Sequence, residues 1–187
     1  MNRHLYKIML MGGLIFILSI TIVNVWYRGR QSMGQQMVHD IQQLHDIFTR
    51  IHEQCTILGF DYQKNPINFL NVVQFTSPEV GPMNLAHPHK WQGPYMQDNP
   101  HVQGLEYQIV RTKKGYFITP GQGVTLPNRK VIGRDINLDE HADIETLMVS
   151  DEQLAFDGHP LAAKITVHEG VEKINNAALK EYMQTDL

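Results

Sequence analysis

Cysteine is nearly missing: Cys55 stands alone in 187 residues, which excludes a disulfide framework and any zinc ribbon built on paired cysteines. Serine is scarce as well. The four serines, at positions 19, 32, 77 and 150, include none in the Gly-x-Ser-x-Gly elbow of a serine hydrolase. Neither His52-Glu53 nor His168-Glu169 has a second histidine at the zinc-hydrolase spacing, because Thr56 and Glu172 stand there. There is no basic block either. Sixteen Lys and Arg face 19 Asp and Glu, for a formal net charge of −3, so nucleic acid is not an expected partner. Proline is absent from the first 65 residues, all nine lying at or after Pro66. Nothing in that stretch removes a donor from a helical ladder.

What is present is unevenly placed. Apolar residues make up 42% and charged residues 19% of the chain, enough for one packed domain. From Ile8 to Tyr27, however, 20 residues carry no charge and 15 are apolar or aromatic. A helix of that length covers about 30 Å, the hydrocarbon thickness of a bilayer. Five turns without a polar face argue against a core helix of a soluble domain. No small-residue cleavage signal closes the run, which argues against a removed signal peptide. The reading is an uncleaved anchor, with Trp26 and Tyr27 as interfacial aromatic residues. Arg3, Lys7 and the amino terminus flank one end, Arg28 and Arg30 the other. That balance favours the N-terminus inside and the remaining chain outside the cytoplasm.

The next segment changes its period. Met33, Met37, Ile41, Leu44, Phe48, Ile51, Cys55 and Leu58 recur every three or four residues, the stripe of an amphipathic helix. Gly59 is the expected stop, and Gly29 with Gly34 allows a bend at the junction. Beyond Gly59 the texture becomes β-like. Tyr107–Thr112 and Tyr116–Thr119 flank Lys113-Lys114-Gly115 as a hairpin, and turn-rich loops run through Ser77-Pro78, Gly81-Pro82, Gly93-Pro94 and Asn99-Pro100. A strand is expected at Lys164–His168, a short helix at about Val171–Tyr182, and further strand material at Leu147–Val149 and Ile165–Val167. The fold class is α+β, with a long helix packed on a small antiparallel sheet. The implied divisions are a cytoplasmic N-terminus over 1–7, a transmembrane helix over 8–27, an extracytoplasmic domain over 28–145 and a C-terminal extension over 146–187.

This organisation resembles the type IV pilin-like fold, and most of all the major pseudopilin of type II secretion systems. Trp91, Gly93, Tyr95, Met96, Pro100, Gly104 and Tyr107 match the family's post-helix loop, and Asp40–Phe48 is similar to its helix. Residues 8 to 136 follow the pattern. The family's processed Phe-Thr-Leu-Ile-Glu-like start has no counterpart, the first acidic residue being Asp40, which makes this a divergent relative. The resemblance implies a non-enzymatic component of a type II secretion or pilus-type apparatus. Its implied partners are membrane lipid and other pilin-like or secretion-system subunits, and its implied site is the inner membrane with a periplasmic domain.

The family's calcium loop directs attention to Asp135, Asn137 and Asp139, whose alternate spacing places three oxygen ligands as calcium loops do. Glu140 and Thr146 stand where such a loop has glycine and glutamate, so Asp143 or Glu145 would have to complete it. The competing reading is a solvated acidic turn. His87, His89 and His101 are candidates for a metal, with no fourth ligand in view. His45 and His52 fall seven apart on the helix, on a side read as solvent-exposed. Cys55 falls on the apolar stripe, where a small buried residue fits. Gly121-Gln122-Gly123 reads as a turn. Trp91, Tyr95 and Tyr107 either pin the loop to the helix or form a binding platform. No catalytic residue or cofactor site emerges. The rival functional class is a membrane-tethered binding or enzymatic domain with a ligand site in loop 76–104. It expects a hinge at Gly29–Gly34 and a deep pocket, whereas the pilin-like reading expects an unbroken helix.

Overall fold

The computed structural model describes residues 3–74 and 79–168. The expected helix at Val171–Tyr182 and the Ser77-Pro78 turn lie outside them.

Helix α1 runs from Arg3 to Cys55 without interruption, 53 residues or about 80 Å at 1.5 Å per residue. The bend allowed at Gly29 and Gly34 does not break it. Gly34 has a packing role instead: a β-carbon there would come within 2.6 Å of the Phe156 ring. The helix ends before Gly59. Thr56 turns into the left-handed region at φ +56° while its N–H still donates to the His52 carbonyl at 2.9 Å. The next N–H, that of Ile57, donates to His52 Nδ1 at 3.3 Å. A left-handed β-branched residue costs about 1–2 kcal/mol, and it reverses the chain so that Ile57 enters the core. Leu58 and Gly59, read as the last stripe position and the stop, therefore belong to the first strand.

Strands β1 (Ile57–Phe60), β2 (Lys64–Pro66), β3 (Glu79–Val80) and β4 (Met83–Leu85) follow, then a 3-10 turn at Pro88–Lys90. Next come β5 (His101–Val102), β6 (Leu105–Glu106), β7 (Gln108–Thr112) and β8 (Gly115–Thr119). After a long irregular stretch stand the short helix α2 (Ile144–Leu147), then β9 (Ala155–Phe156), β10 (His159–Pro160) and β11 (Ala163–Ile165). The main sheet has the order β11-β8-β7-β2, a smaller one β1-β4-β3, and two ribbons join β5 to β6 and β9 to β10. Every pair is antiparallel. The α+β class is as expected. So is the β7–β8 hairpin, with Thr112 opposite Gly115 and Gly115 at φ +116°.

The chain after residue 145 is no separate appendage as far as Ile165. β11 completes the main sheet, Ile165 pairing with Tyr116 and Ala163 with Ile118, and Leu154, Leu161 and Ala162 join the core. Leu147–Val149 forms the end of α2 and a turn rather than a strand.

The sheet packs beneath the second half of α1, which touches β8, β9, β11 and the 3-10 turn. Met37, Ile41, Leu44, Phe48, Ile51 and Cys55 are buried there, and the expected stripe is thereby realised. Ile47 joins them. Each large side chain so buried contributes about 1.5–3 kcal/mol. Phe48 meets Phe60 and Phe69 edge-on, with centroids 6.3 and 6.2 Å apart. Val124, Leu126, Ile132, Ile136 and Leu138 bury the irregular 120–142 segment against the same core.

Candidate functional site

The most distinctive element is α1 itself, which exists in two environments. Among the described residues it is the one helix long and apolar enough to cross a membrane, and the apolar window is wholly unburied by protein. Its polar side chains turn back onto the ladder. Ser19 and Thr21 donate to the Ile15 and Ile17 carbonyls at 2.9 Å each, and Asn24 donates to Ile20 at 3.2 Å. Such back-bonding leaves these groups satisfied without water, the condition hydrocarbon imposes.

The second half is tied to the body by polar bonds as well as by its stripe. Tyr107, fully buried, donates its hydroxyl to Asp40 Oδ2 at 2.9 Å. Burial pushes the Asp40 carboxyl above its ordinary value, opposed by that hydrogen bond and by the charge of His39. Burial and the adjacent Asp40 carboxylate push the Tyr107 phenol well above its own. Tyr95 donates to Gln54 Oε1 at 2.9 Å, and the Trp91 indole N–H donates to the Val72 carbonyl at 3.0 Å. Trp91 and Tyr95 meet edge-on at 4.7 Å, while the Tyr95 and Met96 amides donate to the Leu70 carbonyl at 2.8 and 3.2 Å. The aromatic trio thus fastens the irregular loop to helix and sheet, the first of the two roles open to it.

The acidic stretch is divided among several partners. Asp135 lies against Arg134, whose Nη2 donates at 2.8 Å and Nε at 3.1 Å, and it also accepts from the Val131 amide at 2.8 Å. Asn137 donates to Asp139 Oδ2 at 2.8 Å, and the His141 amide donates to Asp139 Oδ1 at 2.8 Å. Ile136 and Leu138 point into the core between them. The structure therefore joins Asn137 to Asp139 and engages Asp135 elsewhere. Asp143 caps α2 by accepting from the Thr146 amide and holds Lys114 at 2.6 Å, while Glu145 holds Lys164 at 2.9 Å. These lysines keep both carboxyls below their ordinary values. Calcium would have to compete with a cation or an amide donor for most of these oxygens. Among the described residues no group of three or more His, Cys, Asp or Glu side chains is placed to hold a metal ion.

His87 and His89 do meet, edge-on at 5.9 Å, whereas His101 is bonded to the Asn99 carbonyl at 2.7 Å. His45 is exposed as expected. His52 is half-buried and serves the helix end, and burial, with His168 nearby, lowers its basicity. Cys55 is fully buried, and burial raises its thiol above the ordinary value, the opposite of what a nucleophile needs. Gly121 and Gly123 lie in a turn. A concavity of about 590 Å³ is bordered by Lys113, Tyr116, Ile165 and His168, and among the described residues its lining shares none with loop 76–104.

Sequence reasoning missed one contact between distant segments. The Arg129 guanidinium lies 4.8 Å from the Trp26 ring centroid, which Arg30 also approaches, at 3.8 Å. A lone arginine in a turn carries no signal of such a contact. Comparison with protein-family models, with curated proteins and with solved structures finds no match.

Proposed function

We propose that this chain is a non-enzymatic, single-pass membrane protein of the pilin-like kind, serving a type II secretion or pilus-type apparatus. Its first helical half resides in the inner membrane and its body lies in the periplasm. The function is mechanical. The apolar half of α1 keeps the subunit in the bilayer and packs against equivalent helices in an assembly, and the body makes lateral contacts outside. The observation that carries this reading is the continuity of α1 through Gly29 and Gly34 into the docked half. A tethered binding domain would favour a hinge there and a pocket in loop 76–104. Instead the Phe156 ring fills the space beside Gly34, and the loop is fastened by Trp91 and Tyr95.

The test is photo-crosslinking of the full chain in its native membrane. One probe replaces Ile15 in the apolar half and another replaces Tyr62, which is 65% exposed on the body. Adducts from both positions to subunits that carry their own apolar N-terminal helix are the expected outcome. Adducts to lipid alone from the first probe, with none from the second, would overturn the reading.

A further inference from the structure

Where the apolar run of α1 meets the body, side chains from distant parts of the chain converge. Trp26, 53% exposed, closes the run. Arg30, one turn further on, and Arg129 both bring their guanidinium groups over its ring, within cation–π range. Arg129 is held there by its turn. Its N–H donates to the Leu126 carbonyl at 2.9 Å and the Leu126 N–H donates to Lys130 at 2.8 Å. The Asn128 amide ties the turn to the Asp151 and Gln153 carbonyls at 2.9 Å each. Arg129 itself sits at φ +74°, a region favoured by glycine and asparagine.

Two like charges therefore share one indole, and among the described residues neither is paired with a carboxylate. Arg28 and Lys130 adjoin them in sequence. This concentration of positive charge calls for an anion, and guanidinium forks suit phosphate oxygens best. Position selects the source of that phosphate. A tryptophan at the end of a membrane-length apolar run sits at headgroup level, and juxtamembrane cations there attract anionic lipid.

We propose that Arg30, Trp26 and Arg129 form a site for the phosphate of an anionic phospholipid headgroup, seating the 126–130 turn on the bilayer surface. This rests on the reading of Ile8–Tyr27 as a membrane span. The site makes the body's placement depend on lipid charge, which a span alone does not.

The full chain is reconstituted in phosphatidylcholine bilayers in which an equal mole fraction of either brominated phosphatidylcholine or brominated phosphatidylglycerol quenches Trp26. Trp91, buried in the body, supplies an unquenched background. The anionic quencher should be preferred, and Arg30→Gln and Arg129→Asn should each lower that preference by about fivefold, with the unfolding temperature of the body unchanged. Raised salt should weaken the preference as well. Equal quenching by both lipids would overturn the site and leave the span standing. A preference that survives both substitutions would overturn the role of these residues. Inorganic phosphate that abolishes the preference, where chloride at the same ionic strength does not, would assign the site to free phosphate instead. Failure of the chain to associate with either bilayer would remove the span, and the site with it.

Discussion

One helix carries two kinds of apolar surface. In its first half Met9 is 74% exposed, Ile22 67% and even Ile20 47%, whereas in its second half Met37, Leu44 and Ile51 are at 0%. The backbone ladder is the same throughout, so the difference lies in what each half faces. Apolar residues surround the first half on every side and leave no polar face for water. In the second, exposed polar residues separate a single buried stripe, and a sheet covers it. The same side-chain chemistry thus meets a protein sheet in one half and, in the proposed span, lipid in the other. The periodicity tells the two halves apart where hydrophobicity alone does not.

The sharpest break of this comparison is a matched pair of truncations. Leu44→Ala should cost the body about 2–5 kcal/mol, read as urea or thermal unfolding of the full chain in detergent micelles. Ile17→Ala, in the first half, should leave that transition where it is. Equal losses would mean that the two halves stabilise the body alike. A second pair concerns glycines. Gly34→Leu forces a side chain into the Phe156 ring, a clash that should cost about 1–3 kcal/mol. Gly12→Leu, with nothing within 4 Å, should cost the body nothing. Combining Gly34→Leu with Phe156→Ala should recover part of the loss if this ring is the obstacle.

The smallest effect is one of pH. Because burial raises the Asp40 carboxyl in the folded chain, protonation there favours folding. Its contribution is complete below the ordinary carboxyl value of 3.8 and fades as pH rises through the higher folded value. Asp40→Asn removes that dependence and still offers Tyr107 an acceptor. The variant should be the more stable at neutral pH, and the gap should close as the solution is acidified. A gap that widens on acidification would mean that the Tyr107 hydrogen bond outweighs burial.

The parts of this architecture written in long periods were legible. Ile8–Tyr27 and the stripe from Met33 to Cys55 each span several turns, so the pattern repeats often enough to read. The β7–β8 hairpin was readable for a similar reason, with five residues on each side of the Lys113-Lys114 turn and Gly115 opening the second strand. Strands of two or three residues, such as β5, β6, β9 and β10, present too little alternation to register. The end of α1 was misplaced because Thr56, a β-branched residue, takes the left-handed conformation usually left to glycine. The aromatic loop was recognised in kind, yet its anchors to Gln54, Val72 and Asp40 join residues far apart in sequence. The acidic stretch showed its spacing plainly, while the Lys114 and Lys164 side chains that engage Asp143 and Glu145 are brought there by the fold.

The unbroken course of α1 also makes it a lever. From residue 28 to its end at Cys55 the helix extends about 42 Å beyond the apolar run. A change of about 10° in the tilt of the first half would swing the far end by about 7 Å. Membrane thickness and neighbouring helices set such tilts. If the apolar run spans a bilayer as proposed, the angle of that short segment would be read out, magnified, as displacement of a sheet well outside it.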